Sequence, residues 1–325
     1  MLFLGCDSGS SKIAFAVSDF SGRVLVKTEF PAITLFRGGA DTYAADMKRY
    51  IDAVLSRAGV EPGRLACAAF GLTGYGETVT SASDMRFAVE AALPGVRSIL
   101  ANDSVVGWSG ALRASSGIHV VSGTGSVAYG EDGRGGAERA GGWSLFYGDE
   151  GSCYWVGVQG INAFFRQADG RMERTLLYDY FMDLFSLSDP LFVPGAFEEM
   201  TDGGSADRVA AFQKHVLALW RLGDPVAKSI YDRAAEQLSL LVKALKNRLR
   251  FEEENVRVSW SGGLFKAGEC VLEPFGERVR SLGCVPVPPA YGPLAGAVGY
   301  AARAFMSPEE TDRIMDAVDR AGPTG

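Results

Sequence analysis

The stretch that most constrains the fold runs from His119 to Gly130 and reads HVVSGTGSVAYG. Residues that favour extended backbone flank the small-residue run Gly123-Thr124-Gly125-Ser126, so the pattern predicts a strand, a tight turn and a second strand. Such a turn points successive backbone N–H groups into one concavity, which suits phosphate oxygens. An ordinary hairpin with a glycine turn explains the same letters, because short glycine motifs often arise by chance.

A similar unit stands at the N-terminus. An apolar run over 1–6 leads into the small-residue turn Asp7-Ser8-Gly9-Ser10-Ser11-Lys12, and a second strand follows over 13–17. A third apolar run over 24–30 completes a meander. Two similar hairpins far apart in the chain predict a duplicated fold that holds a polyphosphate with two small-residue turns.

Elsewhere, predicted strands alternate with predicted helices, which is typical of an α/β sheet. Polar residues at strand ends face the ligand crevice in such sheets, and here they include Thr73 and the pair Asn102-Asp103. Further predicted elements are loops over 36–40, 133–142 and 192–204, a long amphipathic helix over 225–250 and a small-residue helix over 293–305.

Composition limits the function classes. A chain of 325 residues is long enough for two domains. The net charge of -7 and the absence of a basic stripe argue against a nucleic-acid surface. No apolar run approaches the length of about 18 residues that a membrane span needs, and the chain opens directly on a strand, so we expect a cytoplasmic protein without a membrane partner.

Common catalytic motifs are absent from the sequence. There is no Walker A loop, no GxGxxG and no GxSxG, which argues against P-loop NTPases, the usual dinucleotide-binding dehydrogenases and α/β-hydrolases. The five cysteines are widely spread in apolar surroundings, which predicts reduced, buried thiols. With no Cys/His cluster, a structural zinc site is not expected.

Five segments, taken in order, resemble one family. They are Asp7-Ser8-Gly9-Ser10-Ser11-Lys12, Asn102-Asp103, Ser122-Gly123-Thr124-Gly125-Ser126, the run from Gly141-Gly142-Trp143 through Gly148-Asp149-Glu150-Gly151-Ser152, and Ser261-Gly262-Gly263. By these segments the chain resembles the N-acetylglucosamine kinase group of the BadF/BadG/BcrA/BcrD ATPase family. That family belongs to the actin-like superfamily of sugar kinases, chaperone ATPases and actin.

The resemblance implies an α/β fold of two duplicated actin-like (ribonuclease H-like) domains. Each would carry a mixed five-stranded sheet flanked by helices, with the nucleotide in the cleft between them. The N-terminal domain would comprise 1–113, joined by a C-terminal helix at about 306–325, and the second domain 114–305. The implied activity is ATP-dependent phosphorylation of N-acetylglucosamine at O6 with Mg²⁺, and a homodimer is possible.

The resemblance also implies roles for two carboxylates. Asp103 would be the general base that accepts the proton of the sugar hydroxyl, although an Asp before a helix is also a common N-cap. Asp7 would hold Mg²⁺, through water, because Mg²⁺ dehydrates reluctantly; the alternative is an Asx-turn residue that closes the first hairpin.

Binding roles follow from the same resemblance. Phosphate ligands would be Gly9, Ser10, Ser11, Lys12, Gly123, Thr124, Gly125 and Ser126, although Lys12 is equally explained as a solvated strand residue. Gly262 and Gly263 would lie close to the adenosine, or simply form a turn between strand and helix. The sugar site would comprise Thr73, Asn102, Asp103, Gly142, Trp143 and Asp149. Trp143 is alternatively a core residue, and Asp149 a carboxylate that stabilises a helix start.

Two departures from the family pattern concern the sugar. Ala140 and Ser144 flank Gly141-Gly142-Trp143, where the family has Cys and Gly, and no Asn occurs between Phe30 and Tyr50 to meet an acetamide group. Arg37, Gly38 and Gly39 stand there instead. Glucosamine and N-acetylmuramic acid are therefore alternative substrates. A different alternative is an ATPase that activates a CoA-ester dehydratase or reductase through a shared iron–sulfur cluster.

Overall fold

Two sheets with the same strand order organise the fold. In the first sheet, an antiparallel meander of β1 (Leu2–Ser8), β2 (Lys12–Asp19) and β3 (Val24–Pro31) is extended from β1 by the parallel strands β4 (Leu65–Leu72) and β5 (Ser98–Ala101). The second sheet contains β6 (Gly117–Ser122), β7 (Ser126–Glu131), β8 (Ala137–Gly141), β9 (Val256–Ser261) and β10 (Cys284–Pro286). The orders are β3-β2-β1-β4-β5 and β8-β7-β6-β9-β10, and the predicted duplicated α/β fold with mixed five-stranded sheets is confirmed.

Eleven α-helices accompany these strands in the part of the chain that the structure describes. They are α1 (Leu35–Ala58), α2 (Val79–Ala92), α3 (Asp103–Leu112), α4 (Cys153–Ala168), α5 (Leu176–Phe185), α6 (Val193–Met200), α7 (Ala206–Arg221), α8 (Pro225–Arg248), α9 (Glu269–Ser281), α10 (Pro293–Ala302) and α11 (Pro308–Arg320). None of the helices among these described residues is both long and apolar enough to cross a bilayer.

The structure is a computed structural model that describes residues 1–9 and 11–323, without the side chains of Phe36 and Arg37. The chain divides into two compact units, one comprising Met1–His119 and the chain from Pro288 onward, the other Val120–Val287. The domain boundaries expected from the sequence, after residues 113 and 305, differ from these limits. Helix α10 accounts for most of the difference, because it packs on α3 and β1 within the first unit.

The sheet of the first unit is covered on both faces. One face packs against α1 and α2, with Met47, Val54 and Val89 fully buried. The other face packs against α10 and α11, where Val298 and Ile314 are fully buried. The small residues of α10 allow close packing: a side chain at Gly296 would lie 2.1 Å from the backbone oxygen of Val106 in α3.

In the second unit, the long helix α8 packs on β7 and β8, and α9 packs on β10. The apolar stripe that the sequence predicts for α8 is buried, including Ile230, Ala234 and Leu238. Asp224 caps α8 from a fully buried position, because its carboxylate accepts hydrogen bonds from the backbone N–H groups of Val226 and Ala227.

Three local predictions were wrong. The predicted loop over 36–40 belongs to α1, which is kinked where Gly39 adopts a φ of 71°. The predicted glycine-rich loop over 133–142 contains β8, whose polar residues become a strand by pairing with β7. The predicted loop over 192–204 contains α6, which begins with Pro194 in its first turn.

Candidate active-site residues in each unit

In the first unit, polar residues collect where three parallel strands end. Strand β1 ends at Ser8, which is paired with Leu72, the last residue of β4, and β5 ends beside β4. Parallel strands end at the same edge of a sheet, so Asp7, Thr73 and Asp103 come close together. Of the residues predicted to act on the sugar or metal, these three form the cluster in this unit.

Asp103 is the first residue of α3 and is not its N-cap. Asn102 holds that position, because its side-chain oxygen accepts a hydrogen bond from the backbone N–H of Ser104 at 3.1 Å. The Asp103 carboxylate is therefore available for other contacts, and its Oδ2 accepts a hydrogen bond from the Thr73 hydroxyl at 2.9 Å. Burial raises the pKa of Asp103, while this bond and backbone N–H groups oppose the rise.

Asp7 is half-buried at the end of β1. Burial, followed by the charge of Asp103, raises the pKa of Asp7 to about 7, and the cation of Lys12 opposes the rise only in part. The negative charge of these two neighbouring carboxylates is only partly balanced by Lys12, so the site favours a bound cation. Such carboxylates would suit Mg²⁺ that is held mainly by water and phosphate. Among the described residues, no group of three or more His, Cys, Asp or Glu could hold a metal by itself.

The first small-residue turn closes tightly. The backbone N–H of Gly9 donates to the backbone oxygen of Lys12 at 2.9 Å, and Ser11 is exposed. Ser10, a predicted phosphate ligand, lies outside the described residues. The Lys12 ammonium forms an exposed ion pair with Glu29 of β3 at 2.5 Å, a contact that the sequence analysis missed. Pairing of β2 with β3 is the signal that predicts it, because Lys12 and Glu29 both lie at that end of the hairpin.

In the second unit, the turn between β6 and β7 is bonded to the segment that opens α4. The hydroxyls of Ser122 and Ser126 donate to the backbone oxygens of Gly151 and Glu150, each at 2.8 Å. The backbone N–H of Cys153 donates to the oxygen of Gly123 at 2.8 Å. These bonds assemble the predicted phosphate turn and the GDEGS segment into one site, although the Ser126 hydroxyl is already used within the protein.

Gly125 is required by a close contact with Asp149. A side chain at Gly125 would lie 2.7 Å from Asp149 Oδ2, and Asp149 is buried. Neither Gly123 nor Gly125 has a positive φ, so the contact with Asp149, and not a left-handed backbone, explains Gly125. Asp149 itself adopts a φ of 56°, a conformation that Asp tolerates better than most residues.

Thr124 contacts a residue that the sequence analysis did not identify. Its hydroxyl donates to Asp207 in the first turn of α7 at 3.1 Å. No motif or spacing connects these two positions, so nothing in the sequence predicted the contact. A carboxylate at this place would compete with a bound phosphate for the Thr124 hydroxyl.

The predicted sugar residues Gly142 and Trp143 follow β8. The backbone N–H of Gly142 donates to the oxygen of Ser126 at 2.9 Å, which fixes this segment beside the turn. The alternative that Trp143 is a core residue was wrong, because its side chain is 65% exposed. The Arg139 guanidinium lies over its indole ring, 5.1 Å from the centroid, so one face of the ring is covered.

Gly262 and Gly263 follow β9, the neighbour of β6. Gly262 has a φ of 104°, and a side chain there would lie 2.2 Å from the backbone oxygen of Ser122, so no other residue fits. The structure thus explains Gly262 by a contact within the protein, and the adenosine contact stays a prediction. At Gly263 a side chain would approach only the Cys153 sulfur, at 3.5 Å.

Comparison with known proteins gives a consistent result. A sequence model of the BadF/BadG/BcrA/BcrD ATPase family matches residues 4–301. The N-acetylmuramic acid/N-acetylglucosamine kinase of Clostridium acetobutylicum is 32% identical over 171 residues, or 51% of this chain. The match spans about half of that relative, 54% of its length. The N-acetyl-D-glucosamine kinase of Dictyostelium discoideum is 22% identical over 275 residues, which cover 81% of this chain and 85% of that protein.

Solved structures share the fold. A proposed N-acetylglucosamine kinase from Chromobacterium violaceum superposes with a TM-score of 0.70 at 24% identity, covering 91% of this chain and 97% of that one. A ROK family glucokinase from Streptomyces griseus, solved with glucose and AMPPNP, gives a TM-score of 0.52 at 19% identity over 93% of this chain and 100% of that one. Both similarities support the fold predicted from the sequence.

Proposed function

Since the chain belongs to the BadF/BadG/BcrA/BcrD ATPase family, we propose that it is an ATP-dependent kinase of a hexosamine. N-acetylglucosamine, phosphorylated at O6, is the first substrate to test, because the curated relatives are named for its phosphorylation. The observation that carries the proposal is the Asp103 carboxylate at the start of α3, held by Thr73 beside Asp7. Phosphoryl transfer needs such a group to accept the hydroxyl proton.

The proposed reaction assigns one proton transfer and one bond exchange. Asp103 accepts the O6 proton of the sugar as O6 forms a bond to the γ-phosphorus of ATP. The bond between that phosphorus and the β,γ-bridging oxygen breaks, and ADP leaves. Burial makes Asp103 more basic than an ordinary carboxylate, which favours this role.

The remaining predicted residues would bind and orient. In the first turn Ser11 and Lys12 would donate to phosphate oxygens, because the N–H of Gly9 is already bonded to the backbone oxygen of Lys12. In the second turn the donors would be Thr124 and Gly125, because the N–H of Gly123 is already bonded to the backbone oxygen of Gly125. Asp7 would hold Mg²⁺, which supplies neutralisation of phosphate charge when bound. Asp149, beside Gly125, would accept hydrogen bonds from sugar hydroxyls, and the exposed indole of Trp143 would pack on the sugar ring.

N-acetylmuramic acid and glucosamine remain alternative substrates. The relative from Clostridium acetobutylicum is named for both N-acetylmuramic acid and N-acetylglucosamine. The chain also has no Asn between Phe30 and Tyr50, where the resemblance would place one near the acetamide group. This absence argues for testing sugars that differ at the 2-amino and 3-hydroxyl positions.

The alternative of an ATPase that shares an iron–sulfur cluster is less well supported. All five cysteines are buried and form no disulfide, which confirms the predicted buried thiols. Burial raises the pKa of the Cys153 and Cys270 thiols to about 11, whereas cluster ligands are thiolates.

A coupled ADP-release assay tests the proposal. The panel comprises N-acetylglucosamine, N-acetylmuramic acid, glucosamine and glucose, and NMR of the product identifies the phosphorylated oxygen. We expect one amino sugar to stimulate ADP release strongly, with phosphate on O6. Absence of stimulation by every sugar would refute the proposal.

A further inference from the structure

The guanidinium of Arg139, in β8, lies beside two of the proposed sugar residues. It lies over the indole of Trp143, 5.1 Å from the ring centroid. A side chain at Gly142 would lie 3.9 Å from its Nη1. Arg139 is half-buried, whereas the indole that it covers is exposed. The segment proposed to bind sugar thus begins next to a positive charge.

The carboxylates close to Arg139 along the sheet have other partners. Glu138, the preceding residue, forms an ion pair with Arg248 at 2.5 Å. Glu131, on the neighbouring strand β7, accepts a hydrogen bond from the Tyr129 hydroxyl at 2.9 Å. Within the described part of the chain, no carboxylate forms an ion pair with the Arg139 guanidinium.

Stacking on Trp143 does not use the hydrogen-bond donors of Arg139. The N–H groups of a guanidinium lie in its plane, so they stay available when one face covers a ring. A carboxylate can accept two parallel hydrogen bonds from one guanidinium, and these charge-assisted bonds are among the strongest in proteins. A half-buried guanidinium with unused donors beside a sugar site therefore suits a carboxylate on the ligand.

A closed turn connects Trp143 to the other proposed sugar ligand, Asp149. The backbone N–H groups of Tyr147 and Gly148 both donate to the oxygen of Ser144, at 3.2 and 2.9 Å. A side chain at Gly148 would lie 3.1 Å from Trp143 Cβ, so the two ends of the turn are close together. A sugar on this turn would have Asp149 at one end and the Trp143 indole, with its guanidinium, at the other.

We propose that Arg139 is a specificity-determining residue that binds a carboxylate substituent of the sugar, so that the chain prefers an anionic hexosamine. The inference rests on the proposed function, in which O6 is the acceptor. The carboxylate therefore belongs to another ring position, as in the 3-O-lactyl group of N-acetylmuramic acid. Asp149 and the exposed Glu150 repel an anion, which favours the Arg139 end of the turn for this group.

The test varies one charge on the protein and one on the ligand. Arg139→Gln removes the cation, and Arg139→Lys keeps the charge without the planar fork. Arg174→Gln is the matched control, because Arg174 also lies over an aromatic ring, that of Tyr178, at 3.9 Å from the centroid. The ligands are N-acetylmuramic acid, its lactyl amide, which has nearly the same size but no charge, and N-acetylglucosamine.

We expect Arg139→Gln to raise the KM for N-acetylmuramic acid by about 10- to 100-fold, because it removes a charge-assisted hydrogen-bonded pair. The KM for the amide and for N-acetylglucosamine should change by less than about 3-fold, since neither carries the carboxylate. Arg139→Lys should fall between the wild type and Arg139→Gln. Arg174→Gln should match the wild type with all three sugars.

Binding without turnover separates this inference from the proposed function. Isothermal titration calorimetry with ADP present should show that the wild type binds N-acetylmuramic acid at least about 10-fold more tightly than the amide. This comparison needs no variant, and Arg139→Gln should abolish the preference. If no sugar is phosphorylated, the proposed function fails, while these affinities still decide the role of Arg139.

Three results would overturn the inference. They are equal affinity of the wild type for the acid and its amide, binding of neither, and a preference for the acid that persists in Arg139→Gln. Phosphorylation of N-acetylglucosamine together with any of these results would leave the proposed function standing without a role for Arg139 in specificity.

Discussion

The two units repeat one strand order but close their hairpin turns differently. In the first unit, the turn after β1 leaves space around Gly9, where a side chain would find its nearest neighbour at 3.7 Å. In the second, the turn after β6 is bonded to the segment before α4, and Gly125 is in close contact with Asp149. A side chain is thus tolerated sterically at Gly9 but not at Gly125.

This difference shows that similar small-residue turns arise from different physical causes. The first unit places its carboxylates at neighbouring strand ends, where the negative charges of Asp7 and Asp103 repel each other and favour a bound cation. The second unit places Asp149 directly against the glycine turn. In our proposal the first unit supplies the base and the metal site, and the second unit supplies a sugar ligand.

The largest expected effect distinguishes the carboxylates of the two units. Asp103→Asn should lower kcat by about 10²- to 10⁴-fold with little change in KM, because it removes the general base. Asp149→Asn should raise the KM for sugar by about 10-fold and change kcat less, because it weakens a hydrogen bond made with bound sugar. Steady-state kinetics with the best sugar of the panel measures both. Equal effects of the two variants on kcat would remove the distinction between the units.

The next effect tests the steric contrast between the turns. Gly125→Ala should destabilise the protein by about 1–3 kcal/mol, because the added methyl group collides with a buried carboxylate. Gly9→Ala is the matched control and should change stability by no more than about 0.5 kcal/mol. Urea unfolding measures both. A larger loss for Gly9→Ala than for Gly125→Ala would contradict the contrast.

The third prediction concerns the loss of folding stability that the buried charge of Asp7 causes in the first unit. The pKa of Asp7 is raised from 3.8 to about 7, so between these values the folded state binds more protons than the unfolded state and stability falls as pH rises. Asp7→Asn should therefore stabilise the protein by about 1–2 kcal/mol at pH 8 and by less at pH 5, while activity falls. Thermal unfolding at both pH values checks this. A gain that is larger at pH 5 would contradict the assigned shift.

The smallest expected effect concerns backbone strain at Ser144 in the second unit. Ser144 adopts a φ of 88°, a conformation that favours glycine, and it stands where the resembling family has Gly. Ser144→Gly should stabilise the protein by about 1 kcal/mol by relieving this strain. The change is measured by the thermal unfolding midpoint, with Ser83→Gly, at an exposed position within α2, as a control that should destabilise. A loss of stability in Ser144→Gly would show that its hydroxyl has a structural role.

Much of the fold was predictable because local patterns and tertiary contacts agree. The hairpins and the apolar stripe of α8 follow from runs that favour extended backbone, small-residue turns and helical spacing. Strand β8 was missed because its residues AERAG are polar and gain their structure from pairing with β7. The contact between Thr124 and Asp207 was missed because it joins distant parts of the chain without a pattern.

The candidate site was predictable to the level of strand ends. Placing Asp7, Thr73 and Asp103 at one sheet edge follows from parallel pairing, but the hydrogen bond from Thr73 to Asp103 depends on a distance that no spacing encodes. The N-cap of α3 shows the same limit. Asn102 and Asp103 are both common N-caps, and only the backbone geometry assigns that position to Asn102.

The most direct test of the proposal is a structure with a non-hydrolysable ATP analogue and Mg²⁺. We predict phosphate oxygens within hydrogen-bond distance of donors in both turns, at Ser11 or Lys12 in the first and at the backbone N–H of Gly125 in the second, with the metal on the Asp7 side. Phosphates bound away from both turns would contradict the account.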